Sequence, residues 1–257
     1  MKICVLIKQV ASEDSNLILN DDKLSLNKDA LNLISNEPDI YALEEALQIK
    51  EKTNGEVKVC TFGPESSKQV IKDALAKGAD SGIFISSQDI KHKTPKSIAK
   101  IISHHIKNEN FDLILTGLQS NDQGFAQVGL LISEYLNTSH ASLVMGTEII
   151  NDNTIKVKLE LENGWFQWSE LDLPASLTIQ SGINSPRYAT LKGIMSVKNK
   201  PVETFANDNY SDDIEADYTV LEMFSPTKSK ETHIIDGNPD EIVNQLIDVL
   251  KNNVKVI

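Results

Sequence analysis

The sequence predicts an α/β fold: a doubly wound, mostly parallel sheet with an antiparallel extension and an extended C-terminal arm. Three observations carry this reading. Up to about residue 140, short apolar runs alternate with stretches of helical periodicity, the pattern of parallel strands joined by crossover helices. Past that point, strand-like runs follow one another directly, with turn residues between them. After residue 200 the chain becomes polar and irregular.

In order along the chain, residues 3–10 (ICVLIKQV) form the first strand. A hairpin is expected next, LILN-DDK-LSLN, turning at Asn20, Asp21 and Asp22, whose short polar side chains bond their own backbone. Pro38 and Asp39 open a helix in which Tyr41, Leu43, Ala46, Leu47 and Ile49 recur at helical spacing, and Gly55 ends it. Residues 57–62 read as a buried strand closed by Gly63 and Pro64, 65–77 as a second helix ended by Gly78, and 82–86 as a third strand. A third helix over 95–107, a fourth strand over 111–116, a polar loop over 117–124 and a fourth helix over 125–136 complete the alternating half. Residues 141–150, 154–161, 165–171 and 175–180 are the consecutive strands, with Asn151-Asp152-Asn153 and Asn163-Gly164 as turns. Trp165 and Trp168 lie three apart in a strand and so point to opposite faces, one toward the core and one toward a partner surface. Residues 201–257, ending in a helix over 239–251, hold too few apolar residues for a core of their own.

At 257 residues the chain is long enough for one large α/β domain. Its net charge of −12 argues against general binding to nucleic acid or anionic membranes, which call for basic patches, and reads as solubility. Cys4 and Cys60 sit in apolar runs and read as small core residues in a reducing compartment. No stretch approaches about 18 consecutive apolar residues, so no direct membrane insertion is expected. Lys8 and Gln9 interrupt the N-terminal apolar run, and no targeting segment is seen. His104 and His105 are adjacent on a helix and share no face, and Glu44-Glu45 reads as a solvated helix face. No G-x-S-x-G elbow occurs.

Two stretches stand out. The loop after the fourth strand, TGLQSNDQGFAQVG, puts small and polar residues at a helix N-terminus, where exposed N–H groups and the positive dipole end suit a phosphate. In doubly wound sheets ligands sit at such carboxyl strand ends, near the point where the strand order reverses. An ordinary βα loop capped by Asn121 or Asp122 accounts for the same residues. The loop lacks both G-x-G-x-x-G and G-x-x-x-x-G-K-[ST]. Lys8, at the end of the first strand, either meets a phosphate as a point charge or is a solvated strand end. The second stretch, residues 184–203 (NSPRYATLKGIMSVKNKPVE), interleaves Tyr188, Leu191, Ile194 and Met195 with Lys192, Lys198 and Lys200. That blend suits a loop presenting an apolar anchor ringed by charge, although Leu191 folding back onto its own domain fits as well.

These stretches resemble the beta subunit of electron-transfer flavoproteins. The family pattern of P-R-Y, two small residues, Leu, two variable positions and Ile-Met followed by lysines is matched by Pro186-Arg187-Tyr188, Leu191 and Ile194-Met195. Gly117, Gln119, Asp122, Gln127 and Gly129 match its AMP-binding loop, a G-x-Q-x-x-D core followed by Q-x-G. SNEPDIYALEEAL resembles the family's NPFDEYALEEAL at Asn36, Asp39, Tyr41, Ala42, Glu44, Glu45 and Ala46, with the proline displaced to position 38 and Ile40 in place of an acidic residue. Gly63-Pro64 and the KGAD at 77–80 match too, so the similarity runs from residue 3 to about 203.

The resemblance implies an adenine-nucleotide-binding, Rossmann-like version of the predicted sheet. It implies a domain over residues 1–200 carrying a partner-recognition loop near 184–203, and an arm over 201–257 wrapping the alpha subunit. It implies AMP and an FAD shared with that alpha subunit as cofactors. The implied cofactor-binding residues are Lys8, Gln9, Asn36, Asp39, Phe62, Gly63, Gln119, Asp122, Gln123, Gly124, Gln127 and Gly129, and the implied partner-binding residues are Tyr188, Leu191, Ile194 and Met195. The chain would then be an electron-carrier subunit and no enzyme in itself, because the redox chemistry sits on the flavin. It would pass electrons from flavin dehydrogenases, such as the acyl-CoA dehydrogenases of fatty acid oxidation, to a membrane quinone oxidoreductase. Such a protein works in the cytoplasm of a bacterium or in the mitochondrial matrix of a eukaryote. Two alternatives stay open. Some relatives hold a second FAD in the AMP site and bifurcate electrons from NADH. A nucleotide-hydrolysing or adenylating enzyme of a related fold would instead need an S-G-G-x-D-S loop and a metal-binding acidic pair, and neither is evident.

Overall fold

Alternation along the first strand decides the layering. Ile3 and Val5 turn to one face of the sheet, Cys4 and Leu6 to the other, and all four are buried, which makes the strand an unbroken apolar run. The computed structural model describes residues 1–87, 93–206, 219–226 and 232–256. Beside Ile3 and Val5 lie α1 (Glu37–Thr53) and α2 (Lys68–Lys77), which contribute Leu43, Leu47, Ile71 and Leu75 to the core. Beside Cys4 and Leu6 lie α3 (Pro95–Ile106) and α4 (Val128–Leu136), through Ile101, Ile102, Ile106 and Ile132. Each such side chain contributes about 1.5–3 kcal/mol when fully buried.

Among the described residues the main sheet has nine strands. Those that lead into the helices are β1 (Lys2–Leu6), β4 (Glu56–Gly63), β5 (Ser81–Ser86) and β6 (Leu113–Gly117). β7 (Ser139–Asn151), β8 (Thr154–Glu160), β9 (Phe166–Asp172), β10 (Ala175–Ile179) and β11 (Val202–Ala206) follow. Their order is β11-β5-β4-β1-β6-β10-β7-β8-β9. Every pair is parallel except β7–β8 and β8–β9, which form the antiparallel extension. The chain runs outward from β1 through β4 to β5, then returns to the other side of β1 with β6, so the order reverses between β1 and β6. This is the doubly wound, Rossmann-like α/β fold the sequence predicts.

Several elements differ from expectation. The strand over 3–10 breaks after Leu6, because the Lys8 N–H is taken by the Asp39 carboxylate at 2.8 Å; residues Gln9–Ala11 (β2) pair antiparallel with Leu33–Ser35 (β3) in a small separate sheet. The hairpin expected between them is reduced to one bridge, Leu19 to Leu26. α1 ends on Asn54 in the left-handed conformation, one residue before Gly55. α4 starts three residues later than expected, since Gly124 and Ala126 both have positive φ and hold the chain out of a helix. Neither Trp165 nor Trp168 is a core residue: Trp168 is 49 % exposed because β9 is the outer strand and has no buried position, and Trp165, 72 % exposed, falls in the turn before β9 and not in the strand. β11 adds a parallel strand to the opposite edge, past residue 200, where Phe205 packs on His105. The polar run over 207–218 lies outside the described residues. Both cysteines are buried and unpaired, as expected.

Residues 222–257 form a second unit. It contains α6 (Pro239–Asp248), started by a reciprocal cap between Asn238 and Glu241 and followed by a π-helical turn over Val249–Val254, and neither element has a buried residue. Among the described residues no helix is long and apolar enough to cross a membrane.

Candidate functional site

The carboxyl ends of β1 and β6 open into a cleft of about 250 Å³ at the point where the strand order reverses. Its floor is pinned by the first turn of α1. Asn36 stands at the N-cap position but spends its side chain elsewhere: the amide nitrogen donates to the Gln119 carbonyl at 3.0 Å and the amide oxygen accepts from the Asn121 N–H at 2.9 Å. Asp39 accepts from the Lys8 N–H at 2.8 Å and from the Gly117 N–H at 2.9 Å, tying the end of β1 to the end of β6. Only glycine fits at 117, because a Cβ there would sit 2.5 Å from Asp39 Oδ1. Burial pushes the Asp39 carboxyl up to about 6, against the pull of the two backbone donors.

Lys8 crosses the mouth of the cleft. Its ammonium meets Asp122 at 2.7 Å, Gln123 Oε1 at 3.1 Å and Ser120 Oγ at 3.2 Å. Burial opposes the Asp122 charge, yet the Lys8 ammonium holds that carboxyl below its ordinary range. Asp122 does not cap α4, because the N-cap position falls on Gln127, whose side chain makes no cap, leaving the first N–H groups of the helix for a ligand or solvent. Gln9 donates to the Ser66 carbonyl at 3.0 Å and accepts from Ser66 Oγ, joining the loop after β4 to the same rim. Gly129 brings α4 close to the sheet, since a Cβ there would lie 2.5 Å from Thr116 Oγ1 and 2.8 Å from Thr178.

Of the residues singled out from sequence, Lys8, Gln9, Asn36, Asp39, Phe62, Gln119, Asp122, Gln123, Gln127 and Gly129 line this cleft. Gly63 and Gly124 do not. Gly63 packs on Ser67, where a Cβ would meet Oγ at 2.6 Å, and Gly124 takes a φ of 63° in the loop. Sequence reasoning missed the wall supplied by α3, namely Ile98, Ile102 and the preceding Lys93. The signal was present: Thr94-Pro95 starts a helix after β5, so it must lie at the same carboxyl end of the sheet. Phe125 completes an apolar side that suits a flat ring, opposite the cationic and N–H-rich side. Among the described residues no group of His, Cys, Asp and Glu is placed to hold a metal ion.

The 184–203 stretch forms a second feature. Thr190 caps a short helix, α5 (Leu191–Ser196), on which Leu191, Ile194 and Met195 share a face at spacings of three and four. Tyr188 is 93 % exposed, Leu191 76 %, Ile194 55 % and Met195 66 %. Glu44 and Glu45 are buried, in contrast to the solvated face expected of them, because they hold this segment. Arg187 Nε and Nη2 donate to the two Glu44 oxygens at 2.8 and 3.0 Å, and Asn184 donates to Glu45 at 2.9 Å. Burial works against the Glu44 charge, but the Arg187 guanidinium keeps its carboxyl below the usual range. At the other end Lys200 donates to the Leu75 and Ala79 carbonyls at 2.8 and 2.6 Å, where α2 finishes.

Comparison with known proteins adds an independent observation. The family model for the electron transfer flavoprotein domain matches residues 23–209. The chain is 34 % identical to the electron transfer flavoprotein subunit beta of Methylophilus methylotrophus, over 97 % of this chain and 98 % of that protein. It is 31 % identical to the mitochondrial electron transfer flavoprotein subunit beta of Arabidopsis thaliana, with each chain fully covered. It is also 31 % identical to the acryloyl-CoA reductase electron transfer subunit gamma of Anaerotignum propionicum, over 97 % of this chain and 98 % of that protein.

Proposed function

Because this chain belongs to the electron transfer flavoprotein beta-subunit family, we propose that it pairs with an alpha subunit, binds AMP in the β1–β6 cleft and helps hold an FAD shared between the two chains. The convergence of Lys8 and the uncapped start of α4 at one strand-end cleft carries this reading. The residues present fit a nucleotide. Lys8 and the α4 N–H groups offer positive charge and donors to a phosphate, Asn36 and Asp39 fix the loops that carry them, and Phe62, Phe125 and Ile102 offer an apolar wall to the base. When bound, the flavin supplies the one-electron and two-electron chemistry. The chain's part is to position that cofactor and to present it to partners.

In this reading Leu191, with Tyr188, Ile194 and Met195 around it, docks a flavin dehydrogenase such as an acyl-CoA dehydrogenase. The electrons then leave toward a membrane quinone oxidoreductase. β11 belongs to this chain's own sheet, so the arm's contact with the alpha subunit falls to the unit over residues 222–257, which gives the exposed apolar side of α6, Val243, Leu246 and Ile247, something to cover it. The test is to mix the purified heterodimer with a catalytic amount of an acyl-CoA dehydrogenase and its acyl-CoA and to follow the flavin absorbance of the heterodimer. Bleaching that requires the dehydrogenase supports the carrier role. Bleaching by NADH alone would instead point to the bifurcating arrangement, with a second FAD in the cleft.

A further inference from the structure

A second depression, of about 660 Å³, lies between β3, α2 and α5, away from the nucleotide cleft. Its apolar lining comes from Leu33, Ile34, Ile40, Ala189, Ile194 and Val197. Leu33 and Ile34 sit in a two-stranded sheet and stay more than a third exposed, which is unusual for adjacent large apolar residues with nothing over them. The groove is continuous with the α5 face, because Ile194 belongs to both: it lines the groove and shares a helix side with Leu191 and Met195.

The charge around it runs against that of the molecule. The chain carries −12 overall, yet the segment from Arg187 to Lys200 has basic residues and no acidic one. Arg187 is committed to Glu44 and Glu51, and Lys200 to backbone carbonyls. Lys72 and Lys77 line the groove with one acidic residue, Asp73, which accepts a hydrogen bond from Gln69 at 2.8 Å. Lys72, together with Lys192 and Lys198 on the neighbouring segment, is exposed and forms no ion pair among the described residues, so the rim is basic on balance. An apolar groove edged by uncommitted lysines fits a partner segment with an apolar side chain flanked by carboxylates.

We propose that this groove is the receiving half of a two-way docking surface: Leu191 enters the flavin dehydrogenase, and the dehydrogenase returns an apolar side chain on an acidic segment into the groove. The proposal rests on the docking role given to Leu191 above and adds the occupant of the neighbouring surface. The groove supplies apolar contact and holds the complex together, while the lysines speed encounter and make it sensitive to salt.

The experiment uses the heterodimer and an acyl-CoA dehydrogenase that reduces it. Ile34→Asp puts a charge into the groove, and Lys72→Glu reverses one edge; neither residue lines the nucleotide cleft or lies on α5. Each should raise KM for the heterodimer about tenfold with kcat at saturation unchanged, and Lys72→Glu should flatten the dependence of KM on ionic strength while Lys72→Arg behaves as wild type. Unchanged KM and unchanged salt dependence in both variants, alongside a raised KM for Leu191→Ala, would overturn the groove and leave the anchor standing. Loss of the alpha subunit from Ile34→Asp would overturn it too, by assigning the groove to that subunit. If Leu191→Ala and both groove variants all leave KM alone, the docking reading itself falls and this proposal falls with it.

Discussion

Lys8 Nζ lies 2.7 Å from the Asp122 carboxylate, so the end of β1 is latched onto the loop between β6 and α4 across the mouth of the cleft. A nucleotide phosphate entering that mouth meets a lysine already partnered, and must share it or displace Asp122. Lys8→Met should therefore weaken AMP binding on the order of tenfold or more, the worth of a hydrogen bond to a charged group, and should lower its salt dependence. Asp122→Asn frees Lys8 and should leave AMP affinity unchanged or raise it. Calorimetric titration of nucleotide-stripped heterodimer checks both, and equal losses in the two variants would give Asp122 a direct ligand contact in place of the latch.

Gly129 and Gly124 should separate a packing requirement from a backbone one. Gly129→Val forces a branched side chain against Thr116 and Thr178, which should cost about 1–3 kcal/mol of overpacking and tilt α4 away from the cleft. A Cβ at position 124 meets no atom within 4 Å, but the residue holds a φ of 63°, so the cost of Gly124→Val is chiefly about 1–2 kcal/mol of backbone strain. Thermal unfolding and bound-nucleotide content of the two variants provide the comparison: Gly129→Val should lower both, Gly124→Val chiefly the first.

Asp39 gives a pH signature. Its carboxyl is raised from an ordinary 3.8 to about 6 by burial, so between those values the folded protein binds more protons than the unfolded chain. The stabilising contribution is fully present below pH 4 and is lost as pH rises through 6. Asp39→Asn has no such loss, so its stability relative to wild type should increase across that window by roughly 3 kcal/mol. Denaturant unfolding of both heterodimers at pH 4, 5, 6 and 7 measures this, and a difference that stays flat with pH would contradict the assignment.

Arg187→Leu should leave Glu44 charged, nearly buried and without its guanidinium partner. Removing one side of such a pair typically costs about 3 kcal/mol, and Arg187 is itself only partly buried, so the loss should fall at or below that figure. Hydrogen exchange should rise over residues 184–200 while the cleft residues keep their protection. If exchange is unchanged there, the anchor segment is held by something other than the Glu44 contact.

The parallel half of the fold was legible because its strands are apolar on both faces and are punctuated by Gly and Pro, so that period and length agreed. The cleft was legible for a related reason: a doubly wound sheet puts its ligand at carboxyl strand ends, and Lys8 and the loop after β6 sit there by position in the chain, whereas Asn36 and Gln119 were singled out by the family resemblance. What failed was local. Glu44 and Glu45 look like a solvated helix face until Arg187 and Asn184, over a hundred residues later, fold back onto them. The run through Lys8 looks like one strand, and only the contact from Asp39 breaks it. β11 is five residues of ordinary polarity, and its strand character comes from β5 beside it. Trp168 is set by which strand ends the sheet, a property that periodicity within one strand does not encode.

The central claim is that this chain is a nucleotide-holding half of a flavoprotein carrier, and the ligands themselves test it most directly. The heterodimer would be purified without added nucleotide, denatured, and the released small molecules identified and counted by mass spectrometry. One FAD and one AMP per heterodimer is the predicted result. Two FAD and no AMP would keep the cleft as a nucleotide site but contradict AMP as its occupant, and a flavin-free, nucleotide-free heterodimer would contradict the account as a whole.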